Sequence, residues 1–145
     1  MKKISLESKM LSIFIIGMLG FLLTLSYVFA TQITPQVPVG PYPGTVAAGD
    51  LDITWAAATI GSTTFTVTGK ELLLIHNTGI DSATLTLVSV ADRYKRSGTI
   101  SDYALDGDEY AAFWIGNIIG WRDSAGTMTI QSNTSGHKIA IIRIP

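Results

Sequence analysis

With 145 residues, 47% of them hydrophobic and 14% charged, the chain has material for one folded core and a composition unlike that of a disordered tail. Beyond residue 30 it carries seven basic and ten acidic side chains, a balance of about −3, which excludes the broad cationic footprint of a nucleic-acid binder. It has no cysteine, so disulfide frameworks, thiolate metal sites and cysteine nucleophiles are excluded together.

Residues 10–30, MLSIFIIGMLGFLLTLSYVFA, form an apolar run without a charge. Its length matches a membrane-spanning helix of ~20 residues, while the closing Val28-Phe29-Ala30 has the small or modest residues that a signal peptidase reads. Lys2, Lys3 and Lys9 precede the run and the next cation is Lys70, a bias that leaves the N-terminus in the cytoplasm and the remainder outside. Residues 1–30 therefore read as a signal peptide or a membrane anchor. The protein is expected to be exported or membrane-anchored with its folded part outside, touching the membrane through residues 10–30 if they are retained.

Residues 31–49 hold Pro35, Pro38, Pro41 and Pro43, with Tyr42 among them. Proline fixes φ and withdraws backbone donors, so this stretch is predicted to be an extended arm. Fully extended it would reach on the order of 60 Å. It would serve either as a spacer or as an arm laid on a neighbouring subunit.

Residues 50–145 show an apolar period of two, with turn residues every eight to twelve positions, the pattern of a β-sandwich or barrel. Leu51, Ile53 and Trp55 alternate with Asp52 and Thr54, which assigns Trp55 to the core. Phe65 and Val67 alternate with Thr64, Thr66 and Thr68. Residues 71–77, ELLLIHN, are more continuously apolar and suit a central strand covered on both sides. Asn77-Thr78-Gly79 then turns the chain into residues 84–90, TLTLVSV, as a hairpin. A loop over 91–98 leads to a short strand over 100–105, and Asp106-Gly107 makes a tight turn into 110–115, YAAFWI, where Phe113 and Trp114 point to opposite faces. After an irregular stretch, 127–131 and 138–144 form the last pair, pinning the C-terminus within the sheet. The expected fold is all-β, an antiparallel β-sandwich of jelly-roll-like type with about eight strands, preceded by one N-terminal hydrophobic helix.

The raw material for catalysis is thin. His76 and His137 are the two histidines, neither in a metal-binding spacing, and both are read as structural. There is no nucleophile elbow, phosphate loop or dinucleotide fingerprint. Asp106, Asp108 and Glu109 lack the order of a calcium loop and read as a solvated hairpin tip. No catalytic, cofactor-binding or metal-binding residue is therefore predicted, and the chain is not expected to be an enzyme. Candidate protein contacts are Pro35, Pro38, Pro41, Tyr42 and Pro43 in the arm, Arg93 and Tyr94 in the basic run over 92–96, and Trp121 with Arg122. Trp121 is either an exposed anchor or a plug beneath its loop.

Read as a whole, ITPQVPVGPYP, TGKELLLIHNTG, DRYKRSG, GDEYAAF, GWRDSAG and KIAIIRIP occur in an order and spacing that resembles a family of small tailed-bacteriophage proteins taken to be virion structural components, of decoration or minor-head type. The resemblance covers residues 31–145. It implies an assembly role, through self-association or contact with other structural subunits, and offers no catalytic residues to carry over. The hydrophobic leader departs from the family pattern. It fits a homologue displayed on a cell surface, a membrane-associated phage product, or a start site placed upstream of the true one. The alternative function is an exported or anchored binding module, adhesin- or glycan-binding-like, using Trp121 and Tyr94. Mass spectrometry of the natural N-terminus separates the leader readings: Thr31 marks a cleaved signal, Met1 a retained anchor and another downstream residue a misplaced start.

Overall fold

The computed structural model describes residues 30–38 and 52–145. Within them the alternation of apolar and polar side chains resolves into nine strands: β1 (Thr31–Ile33), β2 (Ala56–Ala57), β3 (Thr63–Thr66), β4 (Glu71–Asn77), β5 (Ala83–Val88), β6 (Ile100–Leu105), β7 (Tyr110–Ile115), β8 (Thr127–Ser132) and β9 (His137–Arg143). They form two sheets, ordered β1-β3-β8-β5-β6 and β2-β9-β4-β7. β1 lies parallel to β3, and every other ladder between named strands is antiparallel. The described residues are thus all-β and sandwich-like. The predicted N-terminal helix falls outside them.

One apolar cluster joins the sheets. Phe65, Leu85, Leu87, Met128 and Ile130 come from the first sheet and Leu73, Ile75, Ile115, Ile139 and Ile141 from the second. Burying each large side chain is worth about 1.5–3 kcal/mol, so this interior supplies most of what holds the sheets together. The outward faces differ. The first sheet presents Thr64, Thr66, Thr84, Thr86 and Thr129, whereas the second presents Leu72, Leu74, Ala112, Trp114 and Ile142.

Several expectations need correction. The hairpin from β4 to β5 and the last pair, β8 with β9, do not exist, because the members of each lie in different sheets. Only β5 and β6 are consecutive strands that pair. Asp106-Gly107 likewise turns the chain from one sheet to the other rather than forming a hairpin tip. The two-residue rhythm fixes which face a side chain occupies, but a turn of Asn, Asp and Gly can close a hairpin or cross between sheets equally well. β4 is not covered on both sides by described residues, since its burial alternates between buried and half-buried along its whole length.

Trp55 is not a core residue. Residues 52–55 are unpaired, and Ala56 is the residue that turns inward against the core. The alternation was in phase but on the opposite face, leaving Trp55 36% exposed. The opening of the Pro-rich stretch is extended, yet it lies on its own domain. Thr31–Ile33 forms the edge strand β1, and Gln36 N donates to Ile141 O at 2.7 Å while Gln36 O accepts from Arg143 N at 2.7 Å. The Gln36 side-chain amide imitates a further strand pairing, donating to Thr54 O at 2.6 Å and accepting from Thr54 N at 3.0 Å.

Crossing between sheets leaves turn backbone groups that no ladder satisfies, and buried Asn77 satisfies several of them. Its Nδ2 donates to the carbonyls of Asp81 and Leu105 at 2.9 Å and of Asp106 at 3.2 Å, and its Oδ1 accepts from Gly79 N at 3.0 Å. The two turns it joins pack so closely that a Cβ at Gly107 would stand 2.5 Å from the Ile80 carbonyl oxygen. Asn77→Ala is expected to cost about 3 kcal/mol in chemical denaturation. Asn77→Asp, which points a carboxylate at three carbonyl oxygens, is expected to cost more, and an Asp variant as stable as the Ala variant would refute this account.

Candidate contact surfaces

The turns gather at two ends of the domain. At one end Thr78 N donates to Gly136 O at 3.1 Å, Asn133 N to Thr84 O at 3.2 Å and Gly61 N to Ser132 O at 2.9 Å, so the β2–β3, β4–β5, β6–β7 and β8–β9 connections meet there. At the other, Val67 N donates to Gly126 O at 3.1 Å, Ile144 N to Lys70 O at 2.8 Å and Val90 N to Gly120 O at 2.6 Å. The charges separate accordingly. Exposed Asp81, Asp106, Asp108 and Glu109 stand on turns of the first end, and exposed Lys70, Arg93, Lys95, Arg96 and Arg122 on those of the second.

The second end brings two predicted contact loops side by side. Asp92 organises the first: its Oδ1 accepts from Tyr94 N at 2.8 Å and Arg96 N at 3.0 Å, and its Oδ2 from Arg96 Nε at 2.8 Å and Nη2 at 2.6 Å. These Arg96 bonds hold the Asp92 carboxyl below its ordinary pKa. The guanidinium carbons of Arg93 and Arg96 lie 4.6 and 5.1 Å from the Tyr94 ring centroid. Asp123 shapes the other loop, accepting from Thr127 N and Oγ1 at 2.8 Å and Ala125 N at 2.9 Å, with the Thr127 amide chief in lowering its pKa. Between the loops is an open cleft of about 290 Å³ whose lining includes Asp92, Arg96, Ile119 and Trp121. Trp121 is half-buried and packs on the core, so it acts as a plug with one side facing the cleft. Arg122 beside it is exposed. Pro35 is half-buried and Pro38 exposed, flanking Gln36 on the edge of β9 that β2 also occupies; Pro41, Tyr42 and Pro43 lie outside the described residues.

A further surface is the outer face of the second sheet, exposed along β7 and half-buried along β4 and β9, with Ala140 fully buried. Its rows are Trp114-Leu72-Ile142, Ala112-Leu74-Ala140 and Tyr110-His76-Lys138. His76 stacks on Tyr110 with centroids 3.9 Å apart, its Nε2 lies 2.9 Å from Asp108 Oδ1, and Trp55 meets both rings edge-on. The apolar run ELLLIHN marks this face, whose β4 positions are half-buried.

The buried titratable groups are committed to the fold. Glu71 begins β4 facing inward, and its carboxylate accepts from the backbone N–H of Thr68, Gly69 and Lys70, from Thr68 Oγ1 at 2.6 Å and from Arg143 Nε at 2.9 Å. Burial pushes its pKa up, but these bonds, led by those from Thr68, outweigh that and bring it down to about 2. His137 is buried with Nδ1 2.8 Å from Ser132 Oγ. Because the Ser132 hydroxyl donates to Thr134 O at 2.7 Å, Nδ1 is the protonated nitrogen, and the buried, unpaired Nε2 is a bare acceptor. Burial lowers the His137 pKa. Among the described residues no three His, Cys, Asp or Glu side chains converge as a metal site. Compared with protein-family models, curated proteins and solved structures, the chain gives no match.

The bonds to ionised Glu71 stabilise the fold at neutral pH and are lost on acidification, whereas buried His137 adds a penalty once acid would protonate it. The His137 penalty grows as pH falls below the ordinary value of 6.5, and the Glu71 contribution is lost as pH drops from 4.5 towards about 2. Glu71→Gln is expected to lower stability at pH 7 by roughly 3 kcal/mol and to flatten the dependence between pH 4.5 and 2, measured by urea denaturation across that range. An unchanged acid profile would show that Glu71 is not the group responsible.

Proposed function

We propose that the chain is a non-enzymatic assembly subunit, exported or membrane-anchored through residues 10–30, of the decoration or minor-head kind that its sequence resembles. One observation supports the reading: exposed acidic turns at one end of the domain oppose exposed basic turns at the other, where the loop bearing Arg93 and Tyr94 lies beside the loop bearing Trp121 and Arg122. A body polarised along its strands aligns with an oppositely charged neighbour, either another copy or a different structural subunit, before short-range contacts form.

The strand order gives further support, by analogy of fold. With β1 set aside, β2-β9-β4-β7 facing β3-β8-β5-β6 follows the two four-stranded layers of a jelly roll, an architecture used in viral capsid and lectin domains. Weak contacts of this kind attach firmly when many copies present them together.

The reading predicts salt-sensitive association. For the purified chain in mild detergent, light scattering or sedimentation is expected to give masses above one copy at low salt. Raising the salt to about 0.5 M, where screening shortens the range of charge to a few ångströms, or introducing Arg93→Glu with Arg122→Glu, is expected to weaken that association about tenfold. Single copies at every concentration, in the absence of any co-purifying structural subunit, would overturn the proposal.

A further inference from the structure

An edge strand offers unpaired N–H and C=O groups to any extended chain that reaches it, and most edges are modified to prevent this. Three of the four edges here are blunted. β1 has three residues. β2 has two, its line along β9 continued by Gln36. β6 carries Asp102 at φ 51° and a register break opposite Leu85 and Leu87. β7 differs: YAAFWI is six residues without charge, proline or glycine, paired to β4 without a register shift.

The pairing determines which groups β7 offers. Asn77 N donates to Glu109 O at 3.0 Å, which makes His76 and Tyr110 a non-hydrogen-bonded pair. By alternation Ala111, Phe113 and Ile115 bond β4, and the backbone groups of Tyr110, Ala112 and Trp114 point away from it. No described residue outside β4 bonds the backbone of those three. Their side chains lie on the outer face, with Tyr110 65% and Trp114 57% exposed.

We propose that β7 pairs antiparallel with β7 of a second copy about a two-fold axis at Ala112, joining the two four-stranded sheets into one continuous sheet. The inference rests on the assembly reading and specifies one surface for it. In this register Tyr110 stands opposite Trp114 of the second copy, Trp114 opposite its Tyr110, and Ala112 opposite itself. Every outward N–H and C=O of the three residues then finds a partner, in the isologous manner of a two-fold contact. The nearest charges, Asp108 and Glu109, come to lie beside Gly116 and Ile115 of the other copy, so no like charges meet. A foreign strand could satisfy the backbone, but the match of aromatic to aromatic and of small to small about Ala112 belongs to the strand paired with itself.

The absence of native cysteine makes the test clean. Opposed Cα atoms in a hydrogen-bonded pair are roughly 5.5 Å apart, so the full chain bearing Ala112→Cys, in mild detergent, is expected to form a covalent dimer with a short thiol-to-thiol cross-linker. Ile80→Cys, at a position 94% exposed on the β4–β5 turn and outside β7, is expected to give at least tenfold less. A mixture of Tyr110→Cys and Trp114→Cys chains should cross-link more than either alone. Association by mass without preferential linkage at position 112 would overturn the β7 pairing and leave the assembly reading intact. Linkage at 112 only to a different protein would also overturn it, and single copies throughout would remove both.

Discussion

Two sheets share one apolar interior, and every connection but that from β5 to β6 must carry the chain across it. This constraint governs the rest of the structure. A chain that leaves one ladder and enters another passes through residues whose backbone groups belong to neither, and buried ones must be bonded locally or lost at a cost of about 1–3 kcal/mol each. The buried polar side chains stand where the chain crosses. Glu71 gathers the amides of the β3–β4 connection, Asn77 joins two turns, and Ser132 with His137 closes the passage from β8 to β9. The core supplies most of the cohesion; these groups decide which turns can form.

The same constraint explains what could be read from the sequence. Which residues face inward was legible wherever alternation was clean: Phe65, Val67, Leu85 and Leu87 are buried and the threonines between them are not. Strand existence was legible over β3 to β9. Strand partnership was not, because Asn77-Thr78-Gly79 and Asp106-Gly107 are equally good as hairpin tips or as bridges between layers. Trp55 shows a related limit, since period two reports a phase without saying which side of the sheet is the interior. Glu71 gave little warning, as a charged residue at a strand start usually marks exposure. The loops around Tyr94 and Trp121 were visible as composition, but their proximity follows from long-range topology.

The two outer faces suggest a division of labour. The outer face of the first sheet is rich in threonine, while the second sheet presents alanine, leucine and aromatic side chains with an unblunted edge. Charge is concentrated at the ends and nearly absent from the middle of the second sheet. In the proposed assembly, long-range alignment and close contact would fall to different parts of the surface, so that one could vary without disturbing the other.

The parallel pairing of β1 with β3 bears on how the domain is carried. Among the described residues the first strand, Thr31–Ile33, follows the apolar run directly in sequence, and residues 31–36 are laid along the body of the domain. Were residues 10–30 to stay in a bilayer, the domain would stand against the lipid surface by the rim of its first sheet, with little freedom to swing. Such a fixed posture would present every copy on the membrane in a common attitude, as a layer of aligned subunits requires.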